Sequence, residues 1–512
     1  VEVFVNFPEL TSARRSRLVD IGIGLGLTIA YLVALMASDG MGFTRDESYY
    51  FHAGRDYAGW FVELESNIKA GEMAESFSQE NIDRHWGYNP EHPVLMKTLF
   101  GLSDEYLNKR LGWLSPSLAM RFPTMLAGAL MLFFTFLFAK DAFRSRFAGI
   151  VAGLSLALLP RLFFHSHLAV FDVGITAAWL VTVYAYWRSL RSTPWVWTTG
   201  LLWGVALITK LNAFFIPIGF LAHWLFSTLP KWKHEGRGIQ IPPLPSALFT
   251  MAILGPIIFY AGWPRHWFDT IERIGWYLNF HITHEHYFVN YFGQYLWEPP
   301  FPWHYPFGMT LTTTPIIILL LWLSGGLTMF TDAVRRWRRE HRWFADERAT
   351  GLLIFINALL PFLIIARPST PIFGGIKHWF PALPFLAMLG GYGAKRLLDL
   401  AMELEPEWPR KLVAVSLIFA ITVPAAWATW SSREVGTGYY NEAVGGFTGA
   451  AEREGMRQFW GYATGLTTDW MNENLPENAQ VHFQNTTGGA YNMYKEEGRI
   501  REDIRIGWDY RR

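Results

Sequence analysis

Apolar residues along this chain gather into long runs, separated by short basic connections on one side and by long aromatic segments on the other. The first run, "IGIGLGLTIAYLVALMA" from Ile21 to Ala37, approaches the roughly 20 residues that a helix needs to cross the hydrocarbon core of a bilayer. Comparable runs lie at Phe122 to Ala139, Ala148 to Phe164, Val170 to Trp187, Trp195 to Ile208, Asn212 to Leu229, Ala247 to Ala261, Met309 to Phe330, Gly351 to Ile365, Trp379 to Tyr392 and Leu412 to Trp430. The pattern predicts an all-α polytopic membrane protein with about eleven transmembrane helices, some short enough to be tilted, broken or re-entrant. The pair flanking "TKLN" is the weakest, because its first member has too few apolar residues for a full crossing. The first run follows "RRSR" without a small-residue cleavage site after it, so it is expected to be a retained span.

Sidedness follows from charge. Connections carrying "RRSR", "KDAFRSR", "WRSLR", "KWKHEGR", "RRWRREHRWFADER" and "AKRLL" fall on one side of the expected spans, which the positive-inside rule assigns to the cytoplasm. The N-terminus is then cytoplasmic, in a cell inner (plasma) membrane. The long segments 38–117, 262–306 and 366–377, with the tail 431–512, fall outside. A transmembrane catalytic domain is expected over 1–430 and a small extracytoplasmic α/β region over 431–512. In that tail "LTTDWMNENLPENAQVHFQN" reads as a helix stopped by Pro476 and followed by a short strand. No repeat of the kind that builds many transporters is present.

Composition agrees: 51% of the 512 residues are hydrophobic, 17% are charged, and there are 25 tryptophans. With no cysteine, thiolate metal sites, disulfides and cysteine nucleophiles are excluded. A formal net charge of +1 and the lack of any recognition motif argue against a nucleic-acid partner.

The chemistry-bearing residues lie in the outer segments. In "GFTRDESYYFHAGRDYAGWF", Thr44 and Glu47 have capping-box spacing, and Tyr49, Ala53, Tyr57, Trp60 and Phe61 recur at helical spacing. An amphipathic helix is expected here, its aromatic face in the interfacial zone of the membrane. Asp46 falls in the first turn, where the helix dipole favours a carboxylate in its charged form. "HWGYNPEHPVLMKTLFGL" places Glu91 and His92 between stiffening prolines, with Lys97 one turn on; His92 and Lys97 suit a phosphate, or the stretch is a rigidified loop. Asp172 opens an apolar span, where an acid needs a partner or a polar cavity, and Arg161, His165 and His167 are near it in sequence. Lys210 either snorkels to headgroups or meets an anionic ligand. Arg367, Lys377 and His378 bracket a short outer loop and suit a lipid phosphate. In "HITHEHYF", His281, Glu285 and either His284 or His286 lack the helical two-histidine spacing of zinc proteases, so interfacial anchoring is preferred to a metal.

Taken in order, "TRDESYY", "NPEHPVL", "FDVGITAAW", "LLWGVALITKLNAFF", "FGQYLWEPPFPWHYP" and "IKHWFPALPFLAMLGG" resemble the GT-C superfamily of membrane glycosyltransferases. The similarity is to its branch of protein O-mannosyltransferases and aminoarabinose transferases that use polyprenyl-phosphate sugars. The resemblance spans roughly the first 400 residues. Two positions depart from the family pattern: "HPV" stands where "HPP" is common, and a threonine stands where a lysine is usual near Thr314. The resemblance implies an inverting hexosyl- or pentosyltransferase. By that resemblance Asp46 and Asp172 would be catalytic and Lys377 and His378 would bind substrate, to which the reading of the residues themselves adds Glu47, Glu91, His92, Lys97, Lys210 and Arg367 as substrate-binding candidates. The implied partners are a polyprenyl-phosphate-linked sugar donor, membrane lipid and an acceptor protein, glycolipid or polysaccharide. No cofactor or metal ligand set is indicated. A sugar on a polyprenyl phosphate is already activated, so the protein needs a carboxylate base for the acceptor hydroxyl and cations for the departing phosphate. The alternative is a transporter or flippase of a lipid-linked or small solute, with Asp172 and Lys210 as mid-depth coupling residues; a silent assembly subunit is a third reading.

Overall fold

The computed structural model describes residues 12–229, 233–235, 238–283, 285–341, 343–344, 346–403, 408–456 and 458–507. Helices carry most of them, and extended structure is confined to three two-stranded pairs. Lys233–Glu235 pairs antiparallel with Gly238–Gln240, Val289–Tyr291 antiparallel with Gln294–Leu296, and Gln480–Val481 parallel with Arg505–Ile506. The first helix, Ser12–Ala37, has 26 residues. At 1.5 Å per residue it is about 39 Å long, more than the hydrocarbon core requires.

Among the described residues, five helices are long and apolar enough to cross a membrane: Arg14–Ala37, Pro116–Phe143, Leu211–Thr228, Ile316–Glu340 and Lys411–Ser431. A sixth is counted if Arg146–Ala157 and Pro160–His167, bent by 69° at their junction, form one span. The protein is therefore a multi-pass membrane protein, while the expected figure of about eleven spans is not confirmed. The difference lies in the remaining apolar runs. Ser246–Gly262 and Thr350–Ile365 are short, and Phe171–Ser189 is largely buried by the helices around it. Many side-chain hydroxyls inside the apolar helices bond back to the preceding turn, as Thr28 does to Gly24 O and Thr135 to Met131 O, which satisfies them without water.

The first outer segment folds as Arg45–Ala70, Gln79–Trp86 and Leu95–Ser103. Gly54 and Gly101 let the first and last of these helices touch backbone to backbone, since a Cβ on either would collide with the other chain segment. The expected helix is present, but its aromatic face points elsewhere. Tyr57 and Trp60 are buried against protein, Tyr57 stacking on Trp86 at 4.7 Å and Trp60 meeting Phe77 edge-on at 5.5 Å. A helical stripe of aromatics identifies a face to be covered, and here the rest of the loop covers it in place of the membrane interface.

The tail also differs from a self-standing unit. Its expected helix and strand are found as Thr468–Asn474 and Gln480–Val481. Its apolar residues Tyr462, Met471, Tyr491, Tyr494, Ile500 and Ile504 share one buried cluster with Met41, Phe43, Tyr50 and Phe51 of the first outer segment. Too short to bury a core alone, it completes one with the loop.

Candidate active site

The Arg45–Ala70 helix starts at the end of a short extended segment, with Thr44 as N-cap. Thr44 Oγ1 accepts from Glu47 N at 3.2 Å and Glu47 Oε2 accepts from Thr44 N at 2.9 Å, completing the expected capping box. Glu47 does more than cap. Arg121 Nε donates to its Oε1 at 2.8 Å, Arg121 Nη2 to its Oε2 at 3.0 Å, and the Ala169 amide to Oε1 at 3.0 Å, all sealed from solvent. Both oxygens are committed to protein donors, so the substrate-binding role expected for Glu47 is corrected to a structural one.

Asp46 is one residue earlier and projects elsewhere. Its carboxylate lies 3.8 Å from Lys377 Nζ and 3.6 Å from Arg45 Nε. Lys377 comes from the loop before Leu383–Ala401 and is buried, with its ammonium 4.2 Å above the Trp460 ring and 5.2 Å from that of Phe373. Burial holds Lys377 below the usual ammonium range, while Asp46 and Asp172 pull it back up.

Asp172 stands in the first turn of Phe171–Ser189 and pairs with Lys210, Oδ1 to Nζ at 2.6 Å. Lys210 precedes the short turn Leu211–Phe215, at the break between the two apolar runs that flank it. The partner of Asp172 is thus neither Arg161, His165 nor His167, and Lys210 does not snorkel. His165 Nδ1 donates to Arg161 O at 2.7 Å, His167 Nδ1 to Phe163 O at 2.9 Å, and the Arg161 guanidinium reaches Tyr439 O.

Tyr50 lies one helical turn beyond Asp46, its ring 4.2 Å from that of Phe171. Burial, then the charges of Asp46, Asp172 and Glu91, push its hydroxyl well above the ordinary tyrosine range. It therefore stays protonated between the two aspartates. The His92 ring packs edge-on to Tyr50 at 5.9 Å and to Phe171 at 5.3 Å. Burial, with Lys97, Lys210, His281 and Lys377 nearby, holds His92 well below the usual imidazole range, so it is neutral and not the cation expected for phosphate.

Lys97 is also corrected. Fully buried, it donates to Asn89 O at 2.6 Å, Asn89 Oδ1 at 3.2 Å and His92 O at 2.9 Å, which uses its three N–H groups to clamp the "NPEHP" turn. Glu91 in that turn accepts from Asn89 Nδ2 at 2.5 Å, and its carbonyl accepts from His281 Nε2 at 3.0 Å. His378 packs edge-on to Phe373 at 4.5 Å. Arg367 is exposed, and no contact joins it to Asp46 or Lys377 among the described residues. No group of three or more His, Asp or Glu positioned for a metal occurs among the described residues; His284 lies outside them.

Sequence reasoning missed Trp460. The tail carries it to Lys377, and its carbonyl accepts from the amide of Arg45, next to Asp46, at 2.7 Å. Gly42 and Gly465 meet with no room for a Cβ, and Phe43 N donates to Tyr494 Oη at 2.7 Å. An aromatic pair, Phe459 and Trp460, before a glycine in an otherwise polar tail was the available signal.

The sequence profile of the PMT family, described as dolichyl-phosphate-mannose-protein mannosyltransferase, matches residues 87–274. No curated protein sequence matches the chain significantly. Among solved structures, ArnT from Cupriavidus metallidurans in its apo state superposes with a TM-score of 0.52 at 14% identity, covering 95% of this chain and 85% of that one. The Archaeoglobus fulgidus oligosaccharyltransferase in its apo form gives a TM-score of 0.51 at 12% identity over 94% of this chain, which spans 59% of that one. The resemblance drawn from the motifs is thus supported in sequence by the PMT segment, and across nearly the whole chain the fold is that shared by ArnT and the archaeal oligosaccharyltransferase.

Proposed function

We propose that this protein is an inverting glycosyltransferase that moves a sugar from a polyprenyl-phosphate donor to an acceptor hydroxyl on the extracytoplasmic side of an inner membrane. The observation that carries the reading is the enclosed pair Asp46 and Lys377, carboxylate to ammonium at 3.8 Å, roofed by Trp460. A base and a phosphate-binding cation are the two groups that transfer from a lipid phosphate requires. The description of the PMT family, with its dolichyl-phosphate-linked mannose, supports the donor class.

In this mechanism the acceptor oxygen attacks the anomeric carbon from the face opposite the lipid phosphate. The bond from that carbon to the phosphate oxygen breaks with its electron pair leaving on phosphate, and the acceptor proton passes to Asp46. Lys377 meets the departing phosphate, and its low hydration inside the site strengthens the attraction. Asp172 and Lys210 form a second pair beside the first and hold the entrance of Phe171–Ser189 in place. Tyr50 and neutral His92 supply hydrogen bonds to the sugar, while Glu91, His378 and Arg367 are candidate contacts for donor or acceptor. The transporter reading draws less support, because Asp172 and Lys210 are paired at helix ends and both act on Lys377, the partner of Asp46.

The test is transfer from a polyprenyl-phosphate sugar by the purified protein, wild type against Asp46→Asn. Loss of transfer with donor binding and Tm retained is expected; full activity of the variant removes Asp46 as base, and movement of the lipid without transfer favours the transporter.

A further inference from the structure

A cavity of about 1300 Å³ opens at the end of the helix bundle far from the candidate active site. Phe171–Ser189 and Leu383–Ala401 both begin at the candidate active site, and both reach this cavity at their other ends, through Arg188 and through Lys395 and Arg396. Phe171–Ser189 has 19 residues. The two sites are therefore about 28 Å apart along the helix axis.

The lining is amphipathic. Phe226, Phe330 and Leu359, each about half exposed, make an apolar wall where three helices face outwards. The other wall is basic: seven Lys and Arg side chains face three aspartates among the described residues. Five of the seven are neutralised locally. Arg188 meets Asp141, Arg191 meets Glu347, Arg336 meets Glu340, Lys395 meets Asp399, and Arg396 meets Asp332.

Two are not. Arg144 ends Pro116–Phe143 in a left-handed conformation, φ 52°, its amide capping Lys140 O, and its guanidinium makes no hydrogen bond or ion pair among the described residues. Arg348 lies over the Trp187 ring at 4.1 Å, and its buried Nε has no hydrogen-bond partner among the described residues. Burial and the neighbouring Arg191 and Arg188 hold Arg348 below the usual guanidinium range, against the opposing pull of Asp346 and Asp141, neither of which forms an ion pair with it among the described residues. A buried guanidinium nitrogen without an acceptor is costly, and an anion in the cavity relieves both the missing bond and the repulsion. The apolar wall continuous with the outward-facing helix surfaces then points to an anion that carries hydrocarbon.

We propose that this cavity binds an anionic glycerophospholipid, its headgroup phosphate taken by Arg348 and Arg144 and its acyl chains lying along Phe226, Phe330 and Leu359. The proposal is independent of the transfer reaction, since none of its residues belongs to the candidate active site. It gives the basic connections a role beyond setting orientation: they build a socket for one lipid.

The experiment is native mass spectrometry of the full-length protein in detergent, titrated with phosphatidylglycerol and, separately, with phosphatidylcholine of the same chains. Phosphatidylglycerol should be retained at a concentration about tenfold or more below phosphatidylcholine, and Arg144→Gln with Arg348→Gln should remove that preference. Equal retention of the two lipids, or a preference unchanged in the double variant, overturns the site. If the double variant does not fold, Arg144→Gln alone should still weaken phosphatidylglycerol, because Arg144 is exposed. In wild-type protein, a photoactivatable phosphatidylglycerol should label peptides containing Phe330 or Leu359; labelling confined to other helices overturns the proposal. Displacement of the lipid by inorganic phosphate at equal concentration would make this a site for free anions and would equally overturn it.

Discussion

Glu47 Oε1 and Arg121 Nε are 2.8 Å apart with both side chains closed to solvent, and this pair fastens the helix that carries Asp46 to the first long membrane helix after it. Removing Glu47 leaves the buried Arg121 with Asp39 as its remaining counter-charge, at 3.1 Å, and breaking a buried pair in this way costs up to roughly 3–5 kcal/mol. Glu47→Ala should therefore lower thermal stability in detergent by that order, whereas Asp46→Asn should leave Tm nearly unchanged and remove transfer. Equal stability losses in the two variants would show that the neighbours do not divide structure and chemistry between them.

Asp172 and Lys210 form a second enclosed pair, and its members are coupled. Lys210→Met or Asp172→Asn alone should destabilise the fold by several kcal/mol, roughly 3–5 for a buried partner left alone. The double variant should lose less than the sum of the two. A double-mutant cycle of unfolding free energies that is additive within about 0.5 kcal/mol would sink the pairing.

Trp460 should matter for donor affinity more than for folding. Its ring faces Lys377 at 4.2 Å, a contact worth about 0.5–2 kcal/mol in a desolvated setting. Trp460→Leu should raise KM for a polyprenyl-phosphate sugar by up to about tenfold, and Trp460→Phe should recover part of the loss. An unaltered KM with a lowered Tm would make the ring a packing element only.

Lys97 gives a pH signature. Burial, only partly offset by Glu91, pushes its pKa down to about 7 from an ordinary value of 10.5. Between those two values the unfolded chain binds a proton that the folded protein has released, so the contribution of this group to stability rises with pH from about 7 towards 10.5. Below about pH 7 both states carry the proton and the full cost of the buried charge remains. Lys97→Met should flatten the rise in Tm measured between pH 7 and 9. An identical slope in wild type and variant would assign that rise to other groups.

Local relationships were legible in the sequence, and distant ones were not. The cap between Thr44 and Glu47 follows from a three-residue spacing, and Asp46 as the neighbour left out of that cap follows with it. The salt link of Glu47 to Arg121 joins residues 74 apart, and that of Asp172 to Lys210 joins residues 38 apart. Proximity in sequence pointed instead to Arg161, His165 and His167, because a chain read in one dimension cannot show which helix ends meet. The aromatic stripe of Tyr57 and Trp60 was visible as a face, yet periodicity does not distinguish lipid from protein as its cover. The count of about eleven spans is left unconfirmed for a related reason. An apolar run predicts burial, and both the bilayer and a surrounding ring of helices provide it.

The tail seals onto the first outer loop through contacts such as Phe43 N to Tyr494 Oη, which joins residues 451 positions apart. During synthesis the carboxylate of Asp46 emerges hundreds of residues before the ring that roofs Lys377 and the hydroxyl that secures Phe43. A nascent chain that has not reached Trp460 thus carries Asp46 without the ring that closes over Lys377, and a message cut short before Trp460 should leave the candidate site open. Synthesis of the tail is the event that completes that site.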